Sequence, residues 1–389
     1  MSIFGHKLTL LGLVQVINLS APVISTLILI DVFGTESYGK YVYYMAIASL
    51  LMTVATFSIQ PIALREKAAG NHDENIMNTI IIIQLLFYFF ISGILIMLEK
   101  GDSAILFGAI LTSLSFNLFF PVWRYQIDNN LQTYIIMSVI YKMVPILLIY
   151  LGVNLNIEIY PLLQTSVLFC FLLIHINRVK YVLQIKSENL IKSGKVLTEG
   201  VSLFVAKMSA HFYVYLPKIV LGSTGGMTGV AIYDIAEKLS KLLKQPVYVI
   251  SQYVIGESSE GNKFALNLRK ITFLGSSLSV LLLILFWSVN VELFDFDNNE
   301  LRIMFSLSVI NFILVMLTTL HCYLQLIINR RDKLWLRVSL IGFILFAILL
   351  SIYRLLAMNS PIYMFLLTTT VELVVFVYSF YIVGKNIEK

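Results

Sequence analysis

Residues 178–196 read RVKYVLQIKSENLIKSGKV, the longest polar connection in a chain that is otherwise a succession of apolar runs. Arg178, Lys180, Lys186, Lys192 and Lys195 make it basic, against Glu188 alone on the acidic side. Alternating basic and apolar residues predict a segment at a membrane interface, partly as an amphipathic helix. A membrane-crossing helix needs about 20 mostly apolar residues. Toward the N-terminus such runs fall at 157–177, 131–153, 103–126, 76–98, 38–64 and 8–33; toward the C-terminus, at 197–222, 227–256, 271–290, 301–328, 335–357 and 361–384. Six runs precede the basic connection and six follow it. Two equal halves joined in this way predict parallel repeats about an axis along the membrane normal. The expected fold is therefore an all-α integral membrane protein of about twelve transmembrane helices. Residues 1–178 form an N-terminal six-helix lobe, 179–196 a basic cytoplasmic linker and 197–389 a C-terminal six-helix lobe.

Composition excludes the soluble alternative. The chain has 389 residues, 58% of them hydrophobic and only 13% charged, with a mean hydropathy of +0.86. Soluble domains carry roughly a quarter charged residues. The first run reads as a retained span rather than a cleaved signal: it is long, contains Pro22 and lacks a small-x-small cleavage site. The net charge of +6 is explained by its distribution, with no call for a nucleic-acid partner. With the N-terminus inside, the termini and the inner connections hold eighteen lysines and arginines, among them Arg65, Lys67, Arg124, Lys263, Arg269, Lys270, Arg330, Arg331 and Lys385. The outer connections hold four: Lys40, Lys100, Arg302 and Arg354. Cytoplasmic loops carry the positive excess, so both termini are expected to be cytoplasmic.

The six remaining lysines lie inside spans: Lys142, Lys207, Lys218, Lys238, Lys241 and Lys244. A charge at bilayer depth costs roughly 2.5–3.5 kcal/mol on insertion scales and usually faces a partner or a cavity. In span seven, Lys207, His211, Tyr215 and Lys218 recur every three or four residues along one face, and in span eight so do Asp234, Glu237, Lys238, Lys241 and Lys244. Asp234–Lys238 and Glu237–Lys241 are i, i+4 pairs, which leaves Lys207, Lys218, Lys244 and Lys142 with no obvious partner. The plainer reading is a bundle whose charges stabilise each other or snorkel to an interface. The functional reading is a net-positive cavity for an anion, with phosphate or pyrophosphate the natural candidates. On that reading Lys207, His211, Lys238, Lys241, Lys244 and Lys142 bind substrate. Asp234, Glu237 and Glu372 are then charge partners or the groups for proton or sodium coupling.

Other motifs carry less. Gly34-Thr-Glu-Ser-Tyr-Gly39-Lys40 imitates a phosphate-binding loop, but Tyr41 stands where Mg²⁺ needs a hydroxyl and no strand precedes it. Asp295-Phe-Asp297 sits on a short outer loop and reads as acidic surface. Cys170, Cys322 and the five histidines lack metal-ligand spacing, so neither cofactor nor metal is expected. Prolines 61, 121, 145, 217 and 246 could kink their spans. A faint internal echo sets FGTESYGKYVYY at 33–44 against LGSTGGMTGVAIYDIA at 221–236, with Tyr41 over Tyr233 and Gln60 over Gln252.

Three short motifs carry a resemblance: Phe33-Gly34-x3-Tyr38-Gly39-x-Tyr41, Phe57-Ser58-x-Gln60-Pro61-x2-Leu64-Arg65-Glu66, and Gly229-Val-Ala-Ile-Tyr233-Asp-Ile-Ala236-Glu237-Lys238-Leu239. Together with the six-plus-six layout, they make the chain resemble bacterial polysaccharide flippases of the Wzx type, in the multidrug/oligosaccharidyl-lipid/polysaccharide (MOP) exporter superfamily. The resemblance implies a non-enzymatic transporter of the bacterial cytoplasmic membrane, with a V-shaped pair of lobes and a central cavity lined mainly by spans one, two, seven and eight. Its cargo would be an undecaprenyl-pyrophosphate-linked oligosaccharide repeat unit, moved from the cytoplasmic to the outer leaflet by alternating access. Its partners would be membrane lipid, a coupling proton or sodium ion, and a polysaccharide polymerase with its chain-length regulator. Two rivals remain: an ion-coupled drug or metabolite antiporter of the same superfamily, which would favour acidic cavities, and a membrane polysaccharide polymerase or ligase, which would need a large outer loop.

Overall fold

The computed structural model describes residues 21–57, 59–68, 70, 74–98, 103–119, 122–128, 130–151, 156–174, 187–224, 226–256, 298–323, 326 and 331–387. The described residues are helical throughout, with short turns between. The chain divides into two compact units, residues 1–204 and 205–389.

The first unit contains α1 (Ala21–Phe33), α2 (Thr35–Thr56), α3 (Ile59–Ala68), α4 (Glu74–Leu98), α5 (Ser103–Phe119), α6 (Val122–Ile127), α7 (Leu131–Tyr150) and α8 (Tyr160–Ile174). Its core forms where α2 packs on α4 and α5, and α8 on α5 and α7. Tyr44, Ala48, Met52, Tyr88, Ile105, Leu106 and Ala109 meet there. Gly108 lets α5 approach α8 closely, since a Cβ there would stand 2.9 Å from Pro161 Cβ. Small residues at helix crossings are the usual device where lipid removes the hydrophobic drive between helices. Some of its buried polar groups are matched across helices, as a membrane interior favours. The Tyr88 hydroxyl donates to the Ile110 carbonyl at 2.8 Å and lies 2.6 Å from Ser113 Oγ.

Span two, expected as one run over 38–64, is broken. Phe57 ends α2 with φ 44°, a left-handed conformation costly for a bulky residue. Two contacts hold it there. Gln84 Nε2 donates to the Thr56 carbonyl at 2.6 Å, satisfying a group the broken helix releases. The Phe57 ring stacks on Phe204 with centroids 4.1 Å apart. Pro61 falls in the first turn of α3, where a missing N–H costs nothing. Pro145 and Pro217 lie within helices that run on past them.

The second unit continues α9 (Ser187–Thr224), which begins in the first, and adds α10 (Met227–Gly256), α11 (Asn298–Leu317), α12 (Asp332–Leu355) and α13 (Pro361–Ile387). A π-helical turn, Thr318–Tyr323, extends α11. Here α10 packs on α11, and α13 on α11 and α12. Residues 187–196 of the expected linker form the first turns of α9. The rest of that linker, span nine (271–290), the first part of span one and Asp295–Asp297 lie outside the described residues.

Six described stretches are long and apolar enough to cross a membrane: 35–64, 75–97, 131–150, 302–320, 333–355 and 361–385. The lysine-bearing α9 and α10, at 38 and 30 residues, are long enough but too charged to count among them.

The sequence echo has a structural counterpart. Gly34 and Gly226, 192 residues apart, both take positive φ, 82° and 83°, in the tight turns before α2 and α10. Only glycine adopts that conformation cheaply. In the same register Leu29 and Leu221 are both fully buried, and Tyr41 and Tyr233 are both buried. Each unit thus opens with a helical hairpin of the same frame.

Candidate anion-binding stripe in the second unit

The hairpin of α9 and α10 carries most of the charged positions singled out in the sequence. Both expected i, i+4 pairs form: Lys238 Nζ lies 2.7 Å from Asp234 Oδ2, and Lys241 Nζ 2.7 Å from Glu237 Oε1. The expectation that Lys218 lacks a partner is overturned. Its Nζ lies 2.6 Å from Asp234 Oδ1 and also pairs with Glu237 Oε2. The reason is the turn geometry. Lys218 stands eight residues before Gly226 and Asp234 eight after it, so roughly 12 Å of rise on either arm brings them to one depth. Counting outward from the glycine would have found this pair; spacing along a single helix cannot.

Five residues therefore form one chain of ion pairs, running Lys238–Asp234–Lys218–Glu237–Lys241. Its centre is sealed and its ends are open. Side-chain exposure is 7% at Lys218, 4% at Asp234 and 11% at Glu237, but 21% at Lys238 and 39% at Lys241. Two carboxylates share three ammonium groups, so these five residues together carry one net positive charge.

The stripe continues on both arms. Lys241 Nζ sits 5.9 Å from the centroid of the Tyr215 ring, a cation–π distance. Tyr215 in turn lies 5.7 Å from the His211 ring. Lys207 and Lys241 both act electrostatically on His211. Among the described residues Lys207 has no ion-pair partner. Lys244, one turn beyond Lys241, interacts electrostatically with Glu372 of α13, which accepts a hydrogen bond from the Tyr213 hydroxyl. Lys142 is carried by α7, in the first unit. Of the expected residues, His211, Lys238, Lys241, Asp234 and Glu237 are thus directly brought together, with Lys207 adjoining them through His211.

Among the described residues of the stripe, Lys207, Lys218, Lys238, Lys241 and Lys244 stand against Asp234, Glu237 and Glu372. Lys238 and Lys241 lie roughly 17 and 21 Å along α10 from Met227, which is well inside a hydrocarbon layer about 30 Å thick when Met227 is taken as its edge. Such an arrangement can hold an anion without a metal; among the described residues no group of three histidines, cysteines or carboxylates could coordinate one.

No protein-family model matches the chain. Among solved structures, a MATE protein in its bent conformation superposes with a TM-score of 0.63, covering 100% of this chain and 96% of that one at 15% identity. An outward-facing multidrug resistance MATE family transporter of the MOP superfamily gives 0.59, covering 99% and 93% at 16% identity. The chain has the MATE transporter fold. The described residues are all-α and fall into two compact units, in line with the fold expected from the sequence, and the superfamily named for the outward-facing structure is the one the sequence resembles. It is a multi-pass membrane protein. Among curated proteins it is similar to the Escherichia coli (strain K12) protein named "Putative O-antigen transporter", 21% identical over 261 residues, 63% of this chain and 62% of that protein. The match spans less than two thirds of that relative's length. These relatives are described as transporters, in keeping with a chain for which no catalytic residue was expected.

Proposed function

We propose that this protein is a flippase of the bacterial cytoplasmic membrane for polyprenyl-pyrophosphate-linked oligosaccharide repeat units, of the kind used for O-antigen, capsule or exopolysaccharide. The observation that carries the reading is the surplus of lysine over carboxylate on α9 and α10 at bilayer depth. An uncompensated cation there is costly unless water or an anion accompanies it. A diphosphate headgroup would supply that anion, held transiently by Lys207, Lys238, Lys241 and Lys244 while its polyprenyl tail stays in lipid. The similarity to a protein named "Putative O-antigen transporter" supports this reading. Asp234, Glu237 and Glu372 would compete for these lysines, so that binding is weak enough for release. They would also take part in proton or sodium coupling, and Lys142 would be a further anion-binding residue. A polymerase and a chain-length regulator would act on the translocated units.

The test is the fate of the lipid-linked repeat unit in cells lacking the protein. Single units should accumulate on the cytoplasmic face, out of reach of a periplasmic probe, and surface polysaccharide should vanish. Units that reach the outer face and merely fail to polymerise would reassign the protein to chain growth. In complemented cells, Lys241→Ala should abolish export while the protein still reaches the membrane; export at the unmodified level would overturn the cationic site.

A second reading has one observation of its own: the solved structures of this fold include multidrug transporters. A drug or metabolite antiporter would confer resistance to organic cations on expression, with polysaccharide export unaffected by deletion.

A further inference from the structure

Lys218 is the least exposed cation of the stripe, and it touches both carboxylates. Each carboxylate divides its oxygens, one toward Lys218 and the other toward an exposed lysine: Asp234 gives Oδ2 to Lys238, and Glu237 gives Oε1 to Lys241. We propose that Lys218 is a positioning residue that sets the charge of the anion site: by occupying half of each acid, it keeps Lys238 and Lys241 cationic toward a diphosphate. The inference rests on the flippase reading for the identity of that diphosphate.

Electroneutrality gives the argument its sign. With Lys218 present, three ammonium groups meet two carboxylates and the cluster is positive. Without it, two meet two. Lys238 and Lys241 would be neutralised by Asp234 and Glu237 although neither lysine had been altered. Buried charges pair with whatever opposite charge is nearest, because the low dielectric penalises any alternative. The helix makes the exposed pair a suitable clamp. Lys238 and Lys241 are three residues apart on one face, so their Cβ atoms stand roughly 5–6 Å apart. Two flexible ammonium groups at that spacing can each take one phosphoryl group of a diphosphate.

The experiment measures binding of inorganic pyrophosphate to the full-length protein in lipid nanodiscs, by calorimetry. Lys218→Met should weaken binding about tenfold, the size of one lost charge-assisted contact. Lys218→Arg, which keeps the charge, should bind as the unmodified protein does. The deciding variant is Lys218→Met/Asp234→Asn/Glu237→Gln. It deletes the two acids together with the lysine that occupies them, and it keeps Lys238 and Lys241 charged; its folding is checked by thermal unfolding beside that of the single variant. Recovery of binding there supports the proposal, because a merely structural Lys218 would not be replaced by deleting its partners. A triple variant that folds without binding, or a single variant that binds normally, overturns it while leaving the flippase reading in place. Absence of pyrophosphate binding by the unmodified protein overturns both.

Discussion

The two hairpins, α1–α2 and α9–α10, share a frame and differ in chemistry. Where the second has Lys218, the first has Thr26; where the second has Asp234, Glu237, Lys238 and Lys241, the first has Val42, Met45, Ala46 and Ser49. The polar bond of the first hairpin is neutral: Thr26 Oγ1 lies 2.9 Å from the Tyr38 hydroxyl, and the same oxygen reaches the Pro22 carbonyl at 2.7 Å. The second hairpin is held by ion pairs. The turn glycine and the buried leucine and tyrosine are kept in both, so the frame does not need the charges. Charges the frame does not require, placed where they are costly, are the part of the molecule best explained by function.

The comparison is sharpest at its most charged point. Asp234→Ala should destabilise the protein by about 3–5 kcal/mol, because it removes the buried carboxylate that Lys218 and Lys238 share. The check is thermal unfolding of the purified protein in detergent, and a melting temperature equal to that of the unmodified protein would mean the network does not hold the hairpin. The turns should behave alike. Gly34→Ala and Gly226→Ala each force a Cβ into a left-handed backbone conformation and should each cost roughly 1–2 kcal/mol. Very unequal losses would break the equivalence of the two frames. The smallest effect belongs to the neutral hairpin: Thr26→Val keeps the shape and removes one hydrogen bond, so about 1 kcal/mol should be lost. A loss as large as that of Asp234→Ala would show that the first hairpin is as polar in its energetics as the second.

Much of this was legible in the sequence. The apolar runs and the lysine asymmetry carried the fold, because a bilayer imposes length and charge rules with few exceptions. The two i, i+4 pairs were legible because both members sit on one helix. Lys218 escaped the same logic because its partners are on the next helix, where depth from the turn matters and periodicity does not. The break at Phe57 escaped altogether. Its causes, a carbonyl claimed by Gln84 and a ring stacked on Phe204, come from residues distant in sequence. Pro61, the residue that advertised a kink, proved to be a helix-starting proline beside the break.

The shared carboxylates have an evolutionary corollary. Each of Lys218, Asp234 and Glu237 pairs with more than one neighbour, so a lineage that loses any one of them inherits a cluster of altered charge, and a second substitution then becomes advantageous. The network can be left only by coordinated steps. Among descendants of a common ancestor, positions 218, 234 and 237 should therefore change together or stay, while positions 26 and 38 of the first hairpin drift with far weaker coupling.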